Sequence, residues 1–250
     1  MKTILRPTAL ALAGMCAASY STQAAAAEGD SWSWVVAPYI FAASIGTDHT
    51  RDVPPSETSS DTNFSNILDK LDGAFMLHVE GQGDHVGVFA DYLYMSLGDS
   101  RDFNVLSTDS DLDATLFDLA MVWSPGGERF QGFEVFGGLR YIDVDLKIKF
   151  QPTNPDFDTV SVNPGESYND FLLGFRYKWD FGNRWGLNVR VDGSWGDTDG
   201  TFNTAATLSY AMKNGEWLFG YRYMTADLPT AVSSTDLTLS GPQIGYGFNF

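Results

Sequence analysis

The chain has 250 residues, with 15 lysines and arginines against 32 aspartates and glutamates, a formal net charge of −17. Such an excess of acid argues against nucleic acid as a partner, since phosphate is bound through surplus base. A single cysteine, Cys16, leaves no disulfide framework, and no run of 18 apolar residues offers a membrane-crossing helix.

The first segment reads as a secretory signal peptide over 1–27. Lys2 and Arg6 form a positive start, Thr8 to Ala18 an apolar stretch, and Ala24-x-Ala26 or Ala25-x-Ala27 a small-residue cleavage site. About 11 apolar residues are too few to span a bilayer as a helix. Cys16 follows Met15, where a lipid-attachment site has a small residue. Cleavage near Ala26 or Ala27 removes the only thiol and two basic residues, leaving 13 basic against 32 acidic side chains, a net of −19. The remainder, 28–250, has the length of one large β domain.

Ten stretches of period-two alternation follow: roughly 31–46, 73–83, 85–98, 111–124, 131–150, 168–181, 185–196, 201–213, 216–227 and 237–250. In "WGLNVRVDGSWG", Trp185, Leu187, Val189, Val191 and Trp195 share one face, and Asn188, Arg190, Asp192 and Ser194 the other. In "FLLGFRYKWDF", Phe171 to Phe181 does the same, with Gly174, Arg176, Lys178 and Asp180 opposite. Connections alternate in length. "GDH", "PGGER", "GNR" and "KNGE" are tight, and Asn214-Gly215 is a strong hairpin signal; most of the others are long and polar. An even number of strands, with tight turns at one end and long loops at the other, describes an all-β, antiparallel up-and-down transmembrane barrel of ten strands, or eight if a segment is misread. A β-sandwich would need a second layer to cover the aromatic faces, and the tryptophans argue against it. Trp32, Trp34, Trp123, Trp179, Trp185 and Trp217 lie near the tight turns or the N-terminus. Trp195, Tyr92, Tyr94, Tyr141 and Tyr223 lie toward the opposite end, as in two interfacial girdles.

With the apolar face toward lipid, the bore receives Glu80, Asp91, Asp118, Glu134, Arg140, Asp170, Arg176, Lys178, Asp180, Arg190, Asp192 and Arg222. Interspersed acids and bases in a narrow bore are expected to pair, as a plug or as a polar conduit. In 131–150 the apolar phase changes from odd to even near Ile142, which suggests a bulge, and in 237–250 it changes likewise at Gly241-Pro242.

The ending "QIGYGFNF" resembles the C-terminal assembly signal of Gram-negative outer-membrane proteins, with Gln243, Gly245, Phe248 and Phe250 at its marked positions. The resemblance implies recognition by the outer-membrane insertion machinery and closure of the last strand on the first. The whole chain resembles the small opacity-protein-like barrels. "NFSNILDKLD" at 63–72, with the strands after it, is similar to a segment of uncharacterised proteobacterial barrels, a resemblance that implies kinship without supplying an activity.

Three histidines bear on chemistry. His85 falls in a tight turn, His78 points toward Glu80, and His49 opens the first outer loop beside Asp48 and Asp52. No lipase, protease or deacylase motif accompanies them, and no catalytic, cofactor or metal site is assigned. Loop 47–72 carries Asp48, Asp52, Glu57, Asp61, Asp69 and Asp72; the next outer loop carries Asp99, Asp102, Asp109 and Asp111. "DSDLD" at 109–113 lacks the glycine and distal glutamate of a calcium loop, so weak divalent-cation binding shared with lipopolysaccharide phosphates is an expectation only. The sequence points first to a non-enzymatic envelope or surface-interaction barrel in contact with outer-membrane lipid, next to a small-solute channel, and last to an outer-membrane hydrolase.

Overall fold

The computed structural model describes residues 32–52, 55–62, 64–102, 106–152, 159–162, 165–182, 184–229 and 233–250. The expected leader 1–27 lies outside them, as do the side chains of His49, Asp52, Glu57, Asp61 and Asp102. The strands are β1 (Ser33–Phe41), β2 (Ser44–Asp52), β3 (Pro55–Thr62), β4 (Leu71–Gln82), β5 (Val86–Asp102), β6 (Leu106–Trp123), β7 (Gly132–Pro152), β8 (Val160–Val162), β9 (Gly165–Phe181), β10 (Trp185–Gly196), β11 (Gly200–Ala211), β12 (Gly215–Pro229) and β13 (Ser233–Asn249). One short helix, α1 (Phe64–Leu68), precedes β4.

Ten staves close the barrel, because β1 and β2 are two halves of one. Both pair antiparallel with β13 in a single register, from Val35↔Asn249 up to Ser233↔Arg51. The stave is interrupted at Ala42 and Ala43, opposite Gly241 and Pro242. Pro242 has no N–H to give the ladder, and a Cβ on Gly241 would lie 2.0 Å from the Ala42 carbonyl oxygen. Pairing followed from Val35 through Glu80, Phe89, Ala120, Gly138, Leu172, Ser194, Thr201, Ala226 and Leu237 returns to the first stave at Thr47. The path closes 12 residues further along. Ten strands with that stagger tilt by about 40° and enclose a bore of about 10 Å backbone radius.

The outer wall is apolar in a band. Met121, Leu139, Leu173, Phe175, Tyr177, Phe219 and Tyr221 project from it exposed. Below them lie Trp123, Trp179, Trp185 and Trp217, and above them Tyr141, Phe171, Trp195 and Tyr223. From Phe181 to Phe171 the tilted strand climbs about 25 Å, the height of an outer-membrane hydrocarbon slab. Exposed side chains of this size in a continuous belt are stable against acyl chains and costly against water.

Above the belt both faces invert. On β7 the inward set continues from Arg140 to Ile142, Val144 and Leu146, while Asp143, Asp145, Lys147 and Lys149 take the outward positions. The expected bulge near Ile142 is absent. β7 pairs with β6 from Val135↔Trp123 to Pro152↔Leu106, and with β9 from Gly132↔Lys178 to Asp145↔Gly165, without a register shift. The apolar phase changes because the surroundings exchange: inside becomes a packed core and outside becomes water. The register shift that does occur lies at Leu71/Gly73, on β4.

The polar segment 47–72 is also more regular than a loop. β2 continues to Asp52, β3 pairs back along it from Pro55↔Asp52 to Thr62↔Ile45, and α1 follows with Ile67 buried. Asp99, Asp109 and Asp111 likewise sit on β5 and β6, which run to Asp102 and from Leu106.

Candidate functional site: the bore of the barrel

The interior is built in two tiers, legible strand by strand. Moving one inward position away from the tight turns replaces His78 by Met76, Asp91 by Leu93, Asp118 by Leu116, Arg140 by Ile142, Asp170 by Tyr168 and Arg222 by Met224. Each of these upper residues joins one packed cluster with Phe41, Ala43, Ala226 and Leu228, flanked by Tyr39, Val144, Leu237 and Leu239. The lower tier is ionic, and the apolar cluster lies across the bore above it.

Two ion-pair knots hold most of the lower tier. Arg140, 1% exposed, donates from Nε and Nη2 to the two oxygens of Asp118 at 2.7 and 2.8 Å, and from Nη2 to Asp192 at 2.7 Å. Arg190 bridges the same two carboxylates at 2.6 and 3.1 Å, and its guanidinium lies 5.1 and 4.9 Å from the Phe89 and Phe136 ring centres. Nearer the tight turns, Arg176 donates to Glu134 at 2.5 Å and forms a two-pronged pair with Glu80, its Nη1 arm 2.8 Å long. Gln82 ties those two acids together at 2.7 and 2.8 Å. Charges this deep in the two knots are tolerable because each has a partner of opposite sign and charge-assisted hydrogen bonds to it.

His78 links the knots to the first stave. Nδ1 lies 3.1 Å from Asp91 and Nε2 3.2 Å from Glu80; the Tyr39 hydroxyl donates to the other Asp91 oxygen at 2.8 Å. With a carboxylate at each ring nitrogen, His78 can donate at both only as an imidazolium. The sequence placed His78 beside Glu80; Asp91 and Tyr39, on neighbouring staves, escape any reading along one strand.

The remaining expected bore residues differ in role. Asp170 is buried yet has no ion pair among the described residues: Ser194 and Thr198 donate to it through their hydroxyls at 2.7 and 2.5 Å, and the Thr198 N–H at 3.1 Å. Lys178 reaches Glu216 at 3.5 Å, and Asp180 stands exposed at the rim, accepting from Gln131. Arg222, 5% exposed, donates from Nε to Asn203 at 2.8 Å, and Asn203 in turn donates to Asp192 at 2.6 Å.

A cavity of about 640 Å³ opens at the tight-turn end. Its mouth is formed by Ser33, Phe130, Met212, Glu216 and Phe250, and it reaches up to Tyr39, Asp91, Asn203 and Arg222, below the apolar tier. The turn before β7 tucks under this mouth. Phe130 adopts a left-handed φ of 55°, and its N–H donates to Gln82 at 2.5 Å; Arg129 grips Asp84 at 2.8 Å. His85 lies in the adjoining turn, 3.0 Å from the Ser124 carbonyl oxygen. No group of three or more histidine and acidic side chains among the described residues is arranged to hold a metal.

The last strand contains the expected terminal pattern. Gln243 and Gly245 face the bore, Phe248 faces outward, and Phe250 exchanges backbone hydrogen bonds with Trp34 at 2.9 and 3.1 Å. A Cβ on Gly245 would lie 2.8 Å from that of Tyr39, so the glycine lets β13 close against β1.

No protein-family model matches the sequence, and no curated protein matches it. Solved structures do. The outer membrane protease OmpT from Escherichia coli superposes with a TM-score of 0.53 at 9% identity, over 88% of this chain and 97% of that one. Ail of Yersinia pestis, with a heparin analogue, gives 0.39 at 9% identity over 88% and 98%. OprG of Pseudomonas aeruginosa gives 0.35 at 12% identity over 88% and 97%. The fold is thus that of a closed ten-stranded outer-membrane β-barrel.

Proposed function

We propose that this chain is a non-enzymatic outer-membrane barrel, closed to through-flow, whose work is done by its walls. It would lie in the outer membrane of a Gram-negative cell after export, with the tight turns toward the periplasm and the charged upper wall outside. There it would serve an envelope-structural or surface-interaction role, against lipid and lipopolysaccharide. The ending Gln243, Gly245, Phe248 and Phe250 would be read by the insertion machinery.

The observation that carries the reading is the apolar tier. Phe41, Met76, Leu93, Leu116, Ile142, Tyr168 and Met224 pack together above the ion pairs. A hydrated ion crossing this layer would shed its water with no charged side chain to replace it. Against a hydrolytic role stands the setting of His78: its hydrogen-bond partners are two carboxylates, and no hydroxyl or thiol among the described residues bonds to its ring.

Planar-bilayer recording tests this directly. The intact barrel is expected to give no reproducible single-channel steps, whereas a Leu93→Ala/Met224→Ala variant, with the tier thinned, is expected to leak. Steady unitary conductance from the unaltered chain would move the assignment to a solute channel.

A further inference from the structure

Arg222 differs from the other three bore arginines. Arg140, Arg176 and Arg190 each pair with two carboxylates. Arg222 has none within ion-pair distance among the described residues. Its Nε donates to Asn203 at 2.8 Å, its Nη2 makes only a long contact of 4.0 Å to the Met224 sulfur, and Nη1 has no hydrogen-bond partner among the described residues. One flank of the guanidinium lies 5.9 Å from the Phe41 ring centre. The side chain is 5% exposed and lines the cavity, so the unused N–H groups have that space to serve.

The space has a cause in the sequence. Inward positions around Arg222 are small: Ala205 is its cross-strand neighbour on β11, and Gly241 its neighbour on β13. Gly220 follows one inward step below, with Thr207 opposite on β11 and Gln243 on β13, whose amide lies over the glycine and donates to Thr207 at 3.0 Å. The facing wall carries Phe89, Phe136 and Leu172, which fill their side. The bore is therefore packed on the Phe89 side and open on the other, and the open half ends on an arginine with no carboxylate within ion-pair distance among the described residues.

We propose that this vestibule binds a small monocarboxylate entering from the tight-turn end, its carboxylate on the free edge of the Arg222 guanidinium. The planar fork matches a carboxylate with two parallel N–H···O bonds, and a buried cation lacking a partner gains most from one. The remaining lining limits the ligand's charge. Asp91 lies above, and Glu216 and Asp180 lie toward the mouth, each already engaged by His78 and Tyr39, by Lys178 and by Gln131. The other cations of the lining, His78, Arg176, Lys178 and Arg190, each already face a carboxylate, so a second negative charge would have only occupied partners to turn to. Val35, Ala37, Ala205 and Leu218 in the same lining leave room for an apolar remainder.

The test uses the refolded chain in detergent, with benzoate, its neutral isostere benzamide and inorganic phosphate as probes, read by saturation-transfer NMR. Benzoate is expected to bind at least tenfold more tightly than benzamide or phosphate. Arg222→Gln should lose at least tenfold in benzoate affinity, and Arg222→Lys should retain part of it. Heat-dependent gel migration verifies that each variant folds. Should Arg222→Gln not fold, Ala205→Leu narrows the space while keeping the charge, and must also weaken benzoate. Equal binding of benzoate and benzamide, tighter binding of phosphate, or full affinity in a folded Arg222→Gln or Ala205→Leu barrel would each overturn the proposal.

Discussion

At the scale of single residues, the interior is ruled by the cost of burying charge. Arg140 is 1% exposed, with Asp118 and Asp192 around it and Thr201 on its remaining arm at 2.8 Å. Removing the guanidinium would leave two carboxylates facing each other, with Arg190 alone to compensate. Arg140→Met is therefore expected to cost about 3–5 kcal/mol, read as a lower urea midpoint of the refolded barrel, although the side-chain volume is nearly kept. Asp170 makes the opposite point. Alternation points it into the bore, where its partners are Ser194 and Thr198, the latter in the short connection before β11. Charge sign along one strand says where an acid points, not which neighbour across the barrel or in a turn satisfies it. For the same reason the His78–Asp91–Tyr39 contact, which joins β4, β5 and β1, depends on the barrel's stagger.

At the scale of strands, the stretches Phe171–Phe181 of β9 and Trp185–Trp195 of β10 were readable almost to the residue, because they lie in the membrane-height band where alternation separates lipid from bore. β7 was readable too, but its change of phase at Ile142 has a different origin: the same period continues while the two environments trade places. β2 beyond Gly46 and β3 gave no strand signal, since their sequence of Asp, Ser, Thr and Glu has no apolar alternation, and α1, five residues long, is too short for a helical period to register. Their acidity has consequences for pairing. Asp227 stands opposite Asp236, and Asp236 opposite Asp48, so three carboxylates occupy adjacent positions on three staves. Burial, then the charges of Asp236 and Asp199, raise the Asp227 carboxyl above its ordinary value. A raised acid favours the folded state in its protonated form, so this contribution is present at low pH. It is lost as pH climbs through the ordinary carboxyl range and then the raised one. Asp227→Asn should accordingly raise the thermal midpoint by up to about 2 °C at pH 8 and leave it unchanged at pH 4.

At the scale of the whole molecule, one feature of the wall organises the rest. Below Tyr141 and Trp195 the barrel is greasy outside and ionic inside; above them it is charged outside and apolar inside. On the proposed reading that reversal would close the bore to through-flow and hold the acidic upper staves clear of the membrane, leaving the vestibule to open at the tight-turn end. The direct measurement is a cysteine scan along β7, from Phe133 to Phe150, in a Cys16-free chain in lipid vesicles, with one bilayer-soluble and one water-soluble quencher of an attached fluorophore. Odd positions up to Tyr141 should respond to the bilayer quencher, odd positions from Asp143 to the aqueous one, and even positions from Ile142 upward to neither. Aqueous quenching at Phe133, Val135 and Leu139, equal to that at Lys147, would contradict the account.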